Sequence, residues 1–230
     1  MRWARQVKEV GMGVQEVFTT FGDVYLKSLL STWLMTAVCF AGGLALGILA
    51  TVLRVSPIKP LRVAGDVYVQ LFRNIPTVSL LVIFVYALPY LGATLPYRTC
   101  LLCCVILVVS SFASENFMSG INAIGVGQIE AARSIGLSFV QIIRLIVIPQ
   151  SLRTTVLPMT NLLIATLLTT AMGSQVPLTP PELTGMVNYV NSRSVAGISA
   201  FVVSAICYAG TSVVLGFLGN KLDEKVRILR

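Results

Sequence analysis

Few residues in this chain could do chemistry, and their types and spacing limit what that chemistry could be. The chain has five cysteines, Cys39, Cys100, Cys103, Cys104 and Cys207. Cys100, Cys103 and Cys104 are close enough together to suggest a metal clip. However, the chain contains no histidine, and no second cysteine pair lies outside apolar sequence. Small thiols packed between helices explain the cluster better, so neither a metal site nor a disulfide framework is expected. Glu115 is different, because an ionisable side chain at membrane depth is costly and marks a functional candidate by default. Its carboxylate could face a pathway and hold a substrate ammonium, or it could pair with a loop arginine. The run 154–172 carries Thr154, Thr155, Thr160, Asn161, Thr166, Thr169 and Thr170. Threonine hydroxyls can bond to their own helix backbone. The Asn161 amide needs partners, on a neighbouring helix or on a substrate. Glu115, Asn161, Thr166 and Thr169 are therefore the candidates for a substrate pathway. A membrane-embedded enzyme would need more acids, bases or metal ligands at this depth than the chain offers. It also lacks the G-x-x-x-x-G-K-[ST] loop that cradles nucleotide phosphates, so an ATP site is not expected within it.

The elements that must position these residues are membrane helices. Of 230 residues, 56% are hydrophobic and 11% charged, less than half the roughly 25% charge of soluble domains. At about 20 apolar residues per span, the chain has room for four to six spans and none for a soluble catalytic domain. Five apolar runs stand out, at 28–53, 75–91, 99–118, 154–172 and 196–218. The expected fold is an all-α polytopic bundle of about five transmembrane helices. The expected organisation is an N-terminal amphipathic segment (1–27), a membrane domain (28–220) and a short tail (221–230). MRWARQVKEV is polar and does not read as a cleavable signal. The second run is short and follows an amphipathic stretch from Lys59 to Arg73 that suits the membrane surface. Gly43 and Gly47, four apart in the first run, let another helix approach closely.

The formal charge of +8 lies between apolar runs, so it points to orientation and anionic lipid rather than nucleic acid. Arg54, Lys59, Arg62, Arg73, Arg133, Arg144, Arg153, Lys221, Lys225, Arg227 and Arg230 fall on one side. Arg98, Arg193, Arg2, Arg5, Lys8 and Lys27 fall on the other. Eleven against six places the first group in the cytoplasm, with the N-terminus outside and the C-terminus inside. Residues 120–150 then form the longest cytoplasmic connection. Glu130 to Ser134 are good helix formers, and an acid near a helix start suits the dipole. Gly136 permits a turn that other residues resist. A second helical stretch is predicted from Phe139 to Ile148, ended by Pro149. Exposed apolar side chains on such a hairpin imply a partner, or a bed of lipid.

The order Glu130-Ala131-Ala132, three residues, Gly136, nine residues, Ile146-x-Ile148-Pro149 resembles the EAA loop of bacterial ABC-importer permeases. Arg73-Asn74-Ile75-Pro76, Ser114-Glu115-x-x-x-Ser119-Gly120-Ile121, GQIEAARSIG, Pro149-Gln150 and Asn161 resemble the polar amino-acid branch of that family. LRVSPIKPLR is most similar to actinobacterial glutamate and glutamine permeases. The likeness covers residues 28–220. It implies a multi-pass subunit of a bacterial cytoplasmic membrane whose loop docks on a cytoplasmic ATPase. Glu130, Ala131, Ala132, Arg133, Gly136, Ile146 and Pro149 would be the coupling residues. Two ATPase subunits would hold ATP and Mg, and this chain would hold no cofactor. A second permease subunit, either a sister chain or another copy of this one, would complete the gate.

Two positions depart from the branch. Met118 stands where it usually has an arginine and Leu168 where it often has a lysine. Both changes remove positive charge and suggest a sister subunit that supplies it. Residues 173–195, stiffened by Pro177, Pro180 and Pro181, would meet a solute-binding protein or merely cap the helices. A secondary transporter usually shows internal repeats and broken helices; five spans cannot form two equal halves. A passive structural subunit is disfavoured by the loop spacing.

Overall fold

The computed structural model describes the backbone of residues 2–226 and the side chains of residues 13–138 and 140–226. The side chains of Arg2, Arg5 and Lys8, and the residues Arg227 and Arg230, all used in the charge count above, lie outside the described residues. Every regular element among the described residues is helical. Among the described residues, four helices are long and apolar enough to cross a membrane, or five if one bent pair counts as a single span.

The first helix, α1, runs from Arg2 to Arg54 without interruption. The N-terminal segment and the first span are therefore one element, with no break at residue 27. At about 1.5 Å per residue this helix far exceeds a hydrocarbon core about 30 Å thick. Thr32, Thr36 and Thr51 stay in the helix because each hydroxyl bonds to the carbonyl four residues back, at 2.8–2.9 Å. Helix α2 (Lys59–Asn74) follows after a short turn. Ile75 is extended, the conformation favoured for a residue before proline, and Pro76 opens α3 (Thr77–Val82). Helix α3 continues through a π turn and a 3₁₀ turn to Leu91, and the pair is bent by 98° at the proline.

Helix α4 (Tyr97–Asn122) is the next span. Three short helices follow: α5 (Val126–Ser134), α6 (Phe139–Ile142) and α7 (Ile148–Thr154). Here the structure corrects a prediction, because Pro149 does not end the helix. The backbone widens to a π turn over Ile143–Val147 and continues to Thr154. Widening just ahead of a proline accommodates its missing N–H and its ring, which a regular helix cannot do. Helix α8 (Val156–Thr169) then runs into a 3₁₀ turn ending at Gln175. After an irregular stretch come the short α9 (Gly185–Asn191) and the last span, α10 (Gly197–Val226).

These elements form two compact units. The first comprises residues 1–40, 76–105 and 165–214. Its interior is built from Val17, Met35, Leu81, Leu101, Leu167, Leu183, Met186 and Val190, all essentially closed to solvent. Phe21 meets Tyr189 edge-on, with ring centroids 6.3 Å apart. The thiols of Cys39, Cys100 and Cys104 are buried in this unit. No group of three metal-ligating side chains occurs among the described residues.

The second unit comprises residues 41–75, 106–164 and 215–230. In it, Gly43 and Gly47 bring α1 against α4. A Cβ at Gly47 would lie 2.7 Å from Ala113 Cβ and 2.9 Å from the Ser110 carbonyl. The predicted small-residue contact is therefore real, and its partner is α4.

Candidate functional site

Residues 121–155, in the second unit, form an elbow with its own small core. Ile124, Ala132, Ile142 and Val147 are buried together, and Ile121, Ile129, Leu137, Ile143 and Ile146 pack around them. The turn at the apex is held by backbone bonds. Gly136 N–H donates to the Arg133 carbonyl at 2.9 Å and Leu137 N–H to the Ala132 carbonyl at 3.1 Å. Gly136 has φ of +84°, the left-handed conformation that commonly ends a helix and that glycine adopts without steric penalty. The next helix is capped reciprocally. Ser138 N–H donates to Gln141 Oε1 at 2.8 Å, and Gln141 N–H donates to Ser138 Oγ at 3.4 Å. This capping box, Ser-x-x-Gln, was legible in the sequence and was missed there. Across the elbow, Gln150 Nε2 donates to Gln128 Oε1 at 2.9 Å.

The predicted coupling residues fall into two groups. Ala132, Ile146 and Gly136 shape the elbow from within or at its turn. Glu130, Ala131 and Arg133 are exposed, and neither charge forms an ion pair among the described residues. Pro149 sits in the widened helix. In the same elbow, Ile135, Val140 and Leu145 are 78%, 69% and 61% exposed. The elbow therefore buries enough apolar surface to hold its shape and still presents bare apolar side chains next to unpaired charges.

A charged cluster occupies another part of the second unit. Arg54 Nε meets Asp66 Oδ1 at 2.8 Å, and its Nη2 meets Glu115 Oε1 at 3.0 Å. Arg73 Nη1 reaches the same Glu115 oxygen at 3.3 Å. Arg54 also donates to Ser114 Oγ at 3.3 Å, and the Thr51 and Ser114 hydroxyl oxygens lie 3.1 Å apart. Two cations thus face two carboxylates. Glu115 is paired with two arginines. Arg54 is the hub, with a side chain only 10% exposed, whereas Arg73 is 40% exposed and lies 5.9 Å from the Phe112 ring centroid.

The polar residues of α8 are mostly satisfied locally. The hydroxyls of Thr160 and Thr169 donate to the carbonyls four residues back, at 2.9 and 2.7 Å. Thr170 donates to the Leu167 carbonyl at 2.6 Å. Thr166 is buried, while Asn161 is exposed. Glu115 and Asn161 belong to the second unit, Thr166 and Thr169 to the first.

One polar residue escaped sequence reasoning altogether. Glu182, in the first unit, is fully buried. Its carboxyl accepts N–H bonds from Thr184 and Gly185, both at 2.6 Å, and the Tyr208 hydroxyl at 2.9 Å. Burial pushes its pKa up from the ordinary glutamate value, and the donated hydrogen bonds partly offset that rise. Glu182 follows two prolines in a connection, where helical periodicity gives no signal. Alongside, residues 173–193 surround an open cleft of about 510 Å³. Its lining includes Gln175, Pro181, Gly185, Asn188, Tyr189 and Arg193.

Comparison with known proteins agrees with this architecture. The chain is similar to "Probable glutamine ABC transporter permease protein GlnM" of Bacillus subtilis, with 26% identity covering 94% of this chain and 98% of that one. It is 30% identical to the glutamate transport system permease protein GluC of Corynebacterium efficiens, over 92% of this chain and 98% of that one. A crystal structure of an amino acid ABC transporter with histidines shares the fold, with a TM-score of 0.86 over 90% of this chain and 96% of that one, at 22% identity. Residues 43–228 match the family described as binding-protein-dependent transport system inner membrane component. With four or five apolar spans, a bent α2–α3 pair and an elbow between α4 and α8, the chain belongs to that family of membrane transport components.

Proposed function

We propose that the chain is a gating subunit of an ATP-driven importer for a polar amino acid of the glutamate or glutamine kind. It has no role in covalent chemistry. The observation that carries this is the elbow, a shape fixed by its own core that leaves Ile135, Val140 and Leu145 bare beside the unpaired Glu130 and Arg133. A rigid hairpin can pass on a push only if a partner grips it. Two cytoplasmic ATPase subunits, carrying ATP and Mg, are the proposed grip. Glu130, Ala131, Arg133 and Ile135 would make the contact. Ala132, Gly136, Ile146 and Pro149 would hold the shape. This assigns the elbow and the C-terminus to the cytoplasm and the N-terminus to the outside, in agreement with the lysine and arginine distribution.

A second permease subunit completes the pathway, and an extracytoplasmic solute-binding protein delivers the substrate. Glu115, Asn161, Thr166 and Thr169 are the proposed pathway residues. Glu115 acts there through its arginines. The half-exposed Arg73, anchored by Glu115, supplies a cation near the pathway in a chain that has Met118 and Leu168 where the branch carries positive charge.

Purification in mild detergent tests the assembly, with two ATPases and a second permease expected to travel with this chain. In membrane vesicles of the intact complex, Gly136→Asp and Glu130→Lys should abolish uptake while ATP hydrolysis continues. Uptake at the wild-type level in both variants, or uptake that persists without ATP, would overturn the reading.

A further inference from the structure

We propose that Glu182 is the pin that fixes the connection 176–193 to α10, so that a load on the cleft beside it reaches the membrane helix as motion of a single body. The proposal rests on the reading that a solute-binding protein delivers substrate at this face, and it adds how that event enters the bundle. The sequence suggested a proline-stiffened loop that either caps the helices or meets a partner. The structure shows a plug. Glu182, Leu183, Met186 and Val190 are all fully buried. Polar anchors reach the plug from three spans. From α1, Thr32 Oγ1 accepts the Leu183 N–H at 3.1 Å. From α4, Arg98 donates to the Pro180 carbonyl at 2.9 Å and to Ser31 of α1 at 3.0 Å. From α10, Ser204 Oγ donates to the Leu183 carbonyl at 2.6 Å, and the Tyr208 hydroxyl bonds to Glu182.

Glu182 is the centre of this set. One carboxyl group gathers two backbone N–H groups and one hydroxyl, and no neutral side chain of that size offers two acceptor oxygens. A glutamine would leave one of the three donors facing an amide NH₂. The packing is also tight, since a Cβ at Gly173 would lie 2.8 Å from Glu182 Cγ. Pro181 and Gly185, on either side of the pin, line the cleft. The cleft wall and the attachment to α10 are thus nearly consecutive residues, joined by a carboxyl that cannot slide without baring buried donors. Glu182 is a positioning residue: it touches no substrate and acts through the plug on α10.

The experiment uses the full transporter in proteoliposomes, with its ATPases, second permease and solute-binding protein. It compares basal ATP hydrolysis with hydrolysis stimulated by the loaded binding protein. Glu182→Ala should lower the stimulated rate roughly tenfold and leave the basal rate within about twofold, the size expected when a buried hydrogen-bonded link between sites is cut. Glu182→Gln should fall between Glu182→Ala and wild type, because it keeps one acceptor. Stimulation at the wild-type level in Glu182→Ala, or equal loss of basal and stimulated rates, would overturn the proposal. If Glu182→Ala fails to assemble, Tyr208→Phe decides: a stimulated rate reduced severalfold supports the pin, and an unchanged one removes it. A wild-type complex that shows no stimulation by any binding protein would instead bring down the importer reading itself.

Discussion

The two long connections of this protein are built on opposite principles. The elbow at 121–155 encloses aliphatic side chains, and its charged groups, Glu130, Arg133, Arg144 and Arg153, face outward with no ion pair among the described residues. The connection at 176–193 buries a carboxyl, and hydrogen bonds from three spans hold the connection itself in place. The elbow is held by apolar burial, which is non-directional and roughly proportional to area. It can therefore keep its form while being pushed, and its outer face stays available. The plug is held by directional bonds among groups that are expensive to leave unpaired. It can occupy one place only. The proposed handle and the proposed pin need different chemistry, and each connection has the chemistry that suits its proposed part.

The comparison can be broken by asking each connection to fail in its own way. The largest effect is expected from Ile142→Ala, since Ile142 is 3% exposed in the elbow core. Emptying such a site costs about 2–4 kcal/mol. Thermal unfolding in detergent should drop accordingly, and hydrogen exchange should rise across 121–155 and not across 176–193.

Glu182→Gln comes next, at roughly 1–3 kcal/mol for one buried donor left unsatisfied, and it carries a pH signature. The Glu182 pKa is raised in the folded protein by burial. Its contribution to stability is therefore fully present below the ordinary glutamate range and is lost as pH rises through the raised value. Unfolding temperatures measured across that window should fall with rising pH in the wild type and less so in Glu182→Gln. Parallel curves would show that the carboxyl is not the source.

Gln141→Ala removes half of the capping box and should cost about 1 kcal/mol. The loss should appear as fraying of 138–142 in hydrogen exchange. The smallest stability effect belongs to Ile135→Ser. A surface change of this kind stays within about 0.5 kcal/mol, yet ATP-driven uptake should fall steeply. A variant that melts like wild type and does not transport would separate the handle's surface from its shape. Normal uptake would mean that the exposed isoleucine grips nothing.

Much of the elbow could be read in advance. Helix formers, then Gly136, then helix formers, state a hinge, because one residue with no Cβ marks where the chain can adopt positive φ. Gly43 and Gly47 likewise announced a close helix contact. One element was misread for a definable reason. Pro149 looked like a terminator, and a π turn over Ile143–Val147 absorbed it instead. That adjustment depends on neighbouring turns and leaves no mark on composition. For Glu115 the sequence left a substrate ammonium and a loop arginine both open, because Arg54 and Arg73 are 61 and 42 positions away, and only packing of α1, α2 and α4 brings their guanidinium groups to it.

Apolar run lengths and charge scarcity alone determined that this chain lives in a membrane as helices. A bilayer accepts only segments that satisfy their own backbone, so hydropathy and length suffice for that decision. The helix formers around Gly136 located the elbow, because local backbone geometry follows from nearby residues. What only the tertiary structure decided was the company kept by each polar side chain. That Glu115 meets Arg54 and Arg73, and that Glu182 is sealed, depends on contacts between distant segments. Such contacts follow from the mutual packing of whole helices, which no local pattern encodes.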